Sequence, residues 1–130
     1  MRDVYAGAAS EYRISGRIIN TFAWHNVFIG SLLLPPPQNN FPEDHQPDFT
    51  IIDVPEFQAI SEVDGTNSET FILVNFAKKL VLIGGTRYAG EMKKSVFTYL
   101  NYLLPKLDVF PMHCSANVGD DGDVAIFFGL

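Results

Sequence analysis

The chain has 130 residues and a mass of 14.5 kDa, which corresponds to one domain or part of one. Nine basic and fifteen acidic residues give a net charge of −6, which disfavours binding to nucleic acid or an anionic membrane. The single cysteine, Cys114, excludes an intrachain disulfide framework and favours a cytoplasmic, reducing compartment. No apolar run approaches the ~18 residues of a membrane-spanning helix.

The first half of the chain predicts a strand, a helix and a long loop. Residues 12–21 are typical of a strand, and residues 23–34 of a short helix that ends at a run of prolines. The helical spacing predicts one buried apolar face, made of Trp24, Val27, Phe28 and Leu32. Residues 35–47 contain five prolines and predict a solvated loop.

Three strands and the clearest helix follow. Residues 49–54 predict a strand, and residues 71–76 and 80–83 predict a hairpin whose nearly continuous apolar character indicates cover on both faces. Residues 84–90 form a glycine-rich loop, and residues 91–104 predict a helix ended by Pro105. The apolar face of that helix comprises Met92, Val96, Tyr99, Leu100, Leu103 and Leu104.

The last third predicts two strands around a tight turn. Residues 112–117 alternate in polarity, residues 119–123 carry an Asp-Gly turn signal, and residues 124–128 predict a buried strand. Strands dominate over two main helices, so we expect a mixed α/β class. A buried strand at the end of the chain also suggests that residues 1–130 are a single partial domain of a longer protein.

The strand, loop and helix over residues 80–104 are typical of an anion site. A helix N-terminus attracts anions, and sequences usually place acidic residues there. Here Glu91 is followed at once by Lys93 and Lys94, whose mutual repulsion a bound anion would relieve. Glycines at 84, 85 and 90 would let backbone approach a ligand. The alternative is a solvated lysine pair on a surface helix.

Two weaker signals lie near the end of the chain. His113 stands on the polar side of its predicted strand, where it is either a ligand or a hydrogen-bonded structural histidine. No second His or Cys stands nearby at metal-site spacing. Cys114 falls on the apolar side and is expected in the core, and His25 and Trp24 are expected to serve helix packing.

Longer motifs carry a family resemblance. They are Gly-Gly-Thr-Arg-Tyr-Ala-Gly-Glu-Met-Lys-Lys at 84–94, Asn-Tyr-Leu-Leu-Pro at 101–105, Met-His-Cys-Ser-Ala-Asn at 112–117 and Gly-Asp-Val-Ala-Ile-Phe-Phe-Gly-Leu at 122–130. With these motifs the chain resembles part of the N-terminal lobe of ATP-dependent phosphoenolpyruvate carboxykinase. It departs from the family at Leu34, which replaces an arginine.

The resemblance implies a lyase of gluconeogenesis in the cytoplasm. Members of the family decarboxylate oxaloacetate and phosphorylate it with ATP, giving phosphoenolpyruvate, CO2 and ADP, with Mg2+ and Mn2+. Their active site lies between an N-terminal mixed α/β lobe and a nucleotide-binding lobe that would follow residue 130. The resemblance therefore implies one wall of an active site, without nucleic-acid or membrane partners.

Residue by residue, the resemblance implies roles for four side chains. Lys93 and Lys94 match catalytic lysines, and both, with Tyr88, match substrate-binding residues. Lys94 and His113 match the ligands of Mn2+.

Gly129 and Leu130 match the first two residues of the family's Walker A loop, which binds nucleotide phosphates. The rest of that loop lies beyond the chain, so we expect residues 1–130 alone to be inactive. The alternative is a non-catalytic anion-binding or interaction module derived from the same lobe.

Overall fold

The computed structural model describes residues 1–37 and 41–129. The chain is mixed α/β and rich in strands, which confirms the predicted class. Its residues fall into two compact units, 1–99 and 100–130. The assignment of both units to one partial domain stays a prediction.

The larger unit contains a five-stranded sheet with the order β1-β2-β3-β5-β4. Strands β2, β3 and β5 are parallel, and the edge strands β1 and β4 are antiparallel to their neighbours. The strands are β1 (Arg2–Ala6), β2 (Ile14–Asn20), β3 (Phe49–Val54), β4 (Phe71–Asn75) and β5 (Leu80–Gly84). The helices are α1 (Ala23–Leu32), the single turn α2 (Ser61–Asp64) and α3 (Gly90–Leu103). None of these helices is both long and apolar enough to cross a membrane.

The three parallel strands end at the same edge of the sheet. In register, Asp53 near the end of β3 lies between Asn20 of β2 and Ile83 of β5. Helix α1 begins shortly after β2, and α3 begins after the loop that follows β5. In parallel α/β sheets this edge, at the carboxyl ends of the strands, is where ligands bind.

The core lies between one face of the sheet and the helices. On the central strands Ile18, Ile51 and Val81 are almost completely buried. From α3, the predicted face contributes Met92, Val96 and Tyr99 to this core, which confirms its first two turns. The Tyr99 ring packs 5.8 Å from the ring of Phe49 on β3.

The predicted buried face of α1 is wrong. Trp24 and Val27 are 53% and 69% exposed, whereas His25 and Ile29 are completely buried. The pattern counted apolar residues only, but the His25 ring hydrogen-bonds Asp53 on the sheet and so turns a polar residue inward. Ile29, one helical turn later, follows it into the core.

The prediction that both faces of the hairpin strands are buried is wrong for β4. Ile72 and Leu73 on this strand are 40% and 51% exposed. Strand β4 pairs only with β5 and therefore forms an edge of the sheet. An edge strand can carry a continuous apolar run without being buried on both faces, so the run alone overestimates burial.

The smaller unit is a hairpin preceded by a 3-10 turn at Leu104–Leu107. Strands β6 (Ser115–Val118) and β7 (Val124–Phe127) are antiparallel. Gly122 adopts φ +81° in the tight turn between them, as the Asp-Gly signal predicts. The sequence thus predicts the hairpin and its turn correctly.

Burial in this hairpin was predicted wrongly. Every residue of β7 is exposed, and so is Cys114, which was expected in the core. His113 precedes β6 rather than standing on its polar side, because that strand begins at Ser115. A two-stranded ribbon has no second layer of its own, so apolar character in its strands cannot produce burial.

An ion pair between the buried Asp3 and the partly exposed Arg17 joins the two N-terminal strands. The Arg17 guanidinium donates two hydrogen bonds to the Asp3 carboxylate, at 2.8 and 3.2 Å. The backbone N–H of Phe41 donates a third, at 3.0 Å. The bonds from Arg17 are the largest cause of a lowered Asp3 pKa, which burial opposes.

Replacing Asp3 by Asn should destabilise the fold by about 1–3 kcal/mol at neutral pH, since it removes a charge-assisted pair. Because the folded-state pKa of Asp3 lies below the usual 3.8, its contribution is present above that value and is lost as pH falls through the folded-state pKa. Urea unfolding at several pH values should therefore show the wild type and Asp3→Asn converging below about pH 4. Asp44→Asn, at an exposed loop position, is the control. A difference that stays constant down to acid pH would contradict the assignment.

Candidate anion-binding site

The loop between β5 and α3, residues 85–89, packs closely against the chain that precedes β4. Gly85 adopts φ +72°, and a Cβ atom there would collide with the backbone of Glu69 and Thr70. The Thr70 hydroxyl donates a hydrogen bond to the Gly85 carbonyl, at 2.9 Å. Glycine at 85 is therefore required both by its φ angle and by the close backbone approach.

Two backbone donors in the first turn of α3 are already used within the loop. The N–H of Glu91 donates to the Tyr88 carbonyl at 3.1 Å, and the N–H of Met92 donates to the Ala89 carbonyl at 3.2 Å. These two groups are unavailable to an anion unless the turn opens. Attraction of an anion to this end of α3 would then depend on the helix dipole, on side chains and on the other N–H groups of the first turn.

Lys93 and Lys94 are exposed on the first turn of α3, as predicted. The Lys94 amine lies 3.5 Å from a carboxylate oxygen of Glu91 and 4.9 Å from the centroid of the Tyr88 ring. Glu91 thus relieves part of the repulsion between the two lysines. An exposed pair of this kind contributes at most ~1 kcal/mol, so a stronger ligand can displace it.

Tyr88 lies directly over Gly90. A Cβ atom at position 90 would meet the Tyr88 ring near its hydroxyl end. Tyr88 as a residue is 58% exposed. Glycine at the first position of α3 therefore creates the space in which Tyr88 lies beside Lys94.

The remaining predicted site residues belong to the smaller unit. His113 is exposed just before β6, Gly129 follows β7 with φ +141°, and Leu130 lies outside the described residues. The convergence of Lys94 and His113 on one metal ion stays a prediction. Across residues 1–37 and 41–129, His, Cys, Asp and Glu side chains form no group of three or more suited to a metal.

Sequence reasoning missed a buried pair beneath this loop. His25 on α1 and Asp53 on β3 lie 2.6 Å apart, from Nδ1 to Oδ2, and both side chains are buried. The other ring nitrogen, Nε2, lies 3.0 Å from the carbonyl oxygen of Arg87 in the 85–89 loop. Burial is the largest influence on the Asp53 carboxyl and raises its pKa, although the bond from His25 opposes this. The sequence feature that could have indicated this pair is an aspartate inside the apolar strand Phe-Thr-Ile-Ile-Asp-Val.

Replacing Gly90 by Ala should displace the Tyr88 ring while leaving the helix intact. Alanine favours helix over glycine by up to about 1 kcal/mol, so thermal stability should not fall. Labelled tyrosine resonances should report the displacement of the ring. Gly30→Ala on α1, where the three atoms nearest the new Cβ all belong to the Arg2 side chain, is the control. An unchanged Tyr88 resonance in Gly90→Ala would contradict the packing described here.

Comparison with known proteins identifies the family. The family model for phosphoenolpyruvate carboxykinase matches residues 1–130. The chain is 56% identical to the phosphoenolpyruvate carboxykinase (ATP) of Oceanobacillus iheyensis and 55% identical to those of Bacillus cereus and Bacillus anthracis. Each match covers 97% of this chain and 24% of the relative, so the chain spans about a quarter of their length. The chain belongs to the phosphoenolpyruvate carboxykinase family.

Proposed function

We propose that the 85–89 loop and the first turn of α3 bind the anionic substrate of an ATP-dependent phosphoenolpyruvate carboxykinase. The whole enzyme would convert oxaloacetate and ATP to phosphoenolpyruvate, CO2 and ADP. One observation carries the proposal. Two exposed lysines stand in succession on the first turn of α3, beside the carboxyl ends of parallel strands, and the amine of one of them, Lys94, lies 4.9 Å from the Tyr88 ring.

The chemistry of the reaction suits these residues. Decarboxylation of oxaloacetate leaves an enolate, and phosphoryl transfer carries further negative charge across the site. Such reactions are accelerated by preorganised positive charge more than by covalent chemistry. In the proposal, the Lys93 ammonium stabilises the enolate and the migrating phosphoryl group, and the Tyr88 hydroxyl donates a hydrogen bond to a substrate carboxylate.

Lys94 and His113 are proposed as two ligands of the metal. They offer an amine and an imidazole, and nitrogen donors of this kind suit a transition-metal ion such as Mn2+ better than Mg2+. Oxygen ligands would have to complete the site. Since Lys94 contacts Glu91 and Tyr88, metal ligation would require its amine to leave the carboxylate. A bound ion would supply charge neutralisation for the substrate oxygens.

The nucleotide is proposed to bind from Gly129 and Leu130 onward, as the start of a phosphate-binding loop. Gly129 has φ +141°, a backbone conformation that residues with a side chain rarely adopt. The cytoplasm is the proposed compartment.

A non-catalytic anion-binding module is the second candidate. It is favoured by the exposure of the lysines and Tyr88. Such a module would bind the same anions without ATP-dependent turnover. Binding and activity assays on the same preparation separate the two candidates.

Residues 1–130 alone should show no carboxykinase activity. Losing one electrostatic donor costs about 10²–10³ in rate, and here the nucleotide-phosphate site would be missing altogether. The exposed apolar strand β7 should also lower solubility. The assay is ATP-dependent formation of phosphoenolpyruvate from oxaloacetate, beside a full-length protein containing this chain. Turnover by residues 1–130 would refute the proposed division of labour, and inactivity of the full-length protein would favour the binding module.

Lys93→Ala should weaken oxalate binding to the full-length protein about tenfold or more, because it removes one charge-assisted contact. Oxalate is a suitable probe because it resembles the enolate of pyruvate. Lys78→Ala is the matched control, since Lys78 is an exposed lysine in the turn at the opposite end of β5. Calorimetric titration measures both dissociation constants. Equal weakening in the two variants would indicate a general charge effect and contradict the proposed contact.

A further inference from the structure

His25 and Asp53 form a buried hydrogen-bonded pair at the edge where the parallel strands end. His25 and Asp53 are 0% and 2% exposed. The rings of Trp24 and Phe22 pack edge-on against the His25 ring, at centroid distances of 4.1 and 5.3 Å. These contacts hold the ring in one orientation, with Nδ1 toward Asp53 and Nε2 toward the Arg87 carbonyl.

The partner of Nε2 determines where the proton lies. A backbone carbonyl only accepts hydrogen bonds, so His25 must carry a hydrogen on Nε2 to bond Arg87. The short contact between Nδ1 and Asp53 then holds one further proton. That proton gives either an imidazolium with a carboxylate or a neutral imidazole with a carboxylic acid. Both states have no net charge, and both keep the Nε2–H donor directed at the loop.

Arg87 is held at two points. Its carbonyl accepts the bond from His25, and its guanidinium carbon lies 5.6 Å from the centre of the Phe22 ring just before α1. The next residue is Tyr88, whose backbone carbonyl accepts the first hydrogen bond of α3, from Glu91. A shift of Arg87 would therefore move Tyr88 and the start of the helix that carries the lysines.

We propose that His25 is a positioning residue that, oriented by Asp53, fixes the 85–89 loop and thereby places Tyr88 and Lys93 for substrate binding. The anchoring of the loop is independent of the substrate, whereas its consequence for binding rests on the proposed function. An apolar pair could fill the same space, but it would leave the Arg87 carbonyl without its hydrogen-bond partner. The polar pair therefore supplies the directed contact that fixes the position of the loop.

The test compares variants of the full-length protein. His25→Phe removes both ring donors while keeping an aromatic ring. Asp53→Asn is the conservative variant. The amide N–H of the new side chain can donate to Nδ1 of His25, which preserves the hydrogen on Nε2. Asp3→Asn is the control, since it alters a buried carboxylate bonded to Arg17 and Phe41 rather than to the loop.

Two readouts are needed. Hydrogen–deuterium exchange over residues 85–94 should accelerate in His25→Phe and change little in Asp53→Asn or Asp3→Asn. The dissociation constant for oxalate should rise on the order of tenfold in His25→Phe and less than about threefold in Asp53→Asn, because small misplacements of binding groups are costly. A rise of KM that exceeds the fall in kcat would point to substrate positioning.

The outcomes separate this inference from the proposed function. Unchanged exchange over residues 85–94 in His25→Phe would overturn the anchoring role. Faster exchange with unchanged oxalate binding would support the anchor and overturn the proposed substrate contacts of Tyr88 and Lys93. Loss of binding in Asp53→Asn equal to that in His25→Phe would overturn the proton arrangement.

One measurement needs no variant of the pair to fold. Selective ¹⁵N labelling of histidine in the full-length wild type reports which ring nitrogens carry hydrogen, with His25 assigned by through-bond correlation of its ring to its own backbone resonances. We expect Nε2 in the protonated range at neutral pH. An unprotonated Nε2 would overturn the proposal, because the bond to Arg87 could then not form.

Discussion

The hydrogen bond from His25 to the Arg87 carbonyl is the constraint on which the site depends. Parallel pairing brings the ends of β2, β3 and β5 to one edge, and the His25 ring joins the segments that follow or end those strands. Its partners are 28 and 62 residues away in sequence. One buried ring therefore fixes the start of α3 relative to the sheet, and with it the side chains that we propose contact the substrate.

Local patterns predicted the elements of the fold well. Strand β3, the β4–β5 hairpin and α3 follow from apolar periodicity and turn residues, which are short-range properties. Burial was predicted less well, because it depends on neighbours that the pattern does not contain. The orientation of α1 failed for this reason, since a polar contact between His25 and Asp53 outweighed the apolar stripe containing Trp24.

The same distinction between local sequence and three-dimensional contacts applies to the candidate site. The lysines beside a glycine-rich loop are adjacent in sequence, so Lys93 and Lys94 could be singled out from spacing alone. The packing of Tyr88 over Gly90 and the anchor beneath Arg87 could not, because both depend on three-dimensional contacts. The metal roles of Lys94 and His113 came from the family resemblance alone. They stay predictions for this chain.

The exposed lysines of α3 depend on buried contacts for their position. The lysines must stay accessible for an anion to reach them, so they cannot be fixed by burial. The position of the 85–89 loop must therefore be fixed by buried contacts, which are the hydrogen bonds of His25 with Asp53 and Arg87 and the close backbone approach at Gly85.

A crystal structure of the full-length protein with oxalate bound tests this positioning most directly. We expect oxalate within hydrogen-bond distance of Lys93 Nζ and the Tyr88 hydroxyl, with His25 still bonded to Arg87. Oxalate bound elsewhere, with both side chains in solvent, would contradict it.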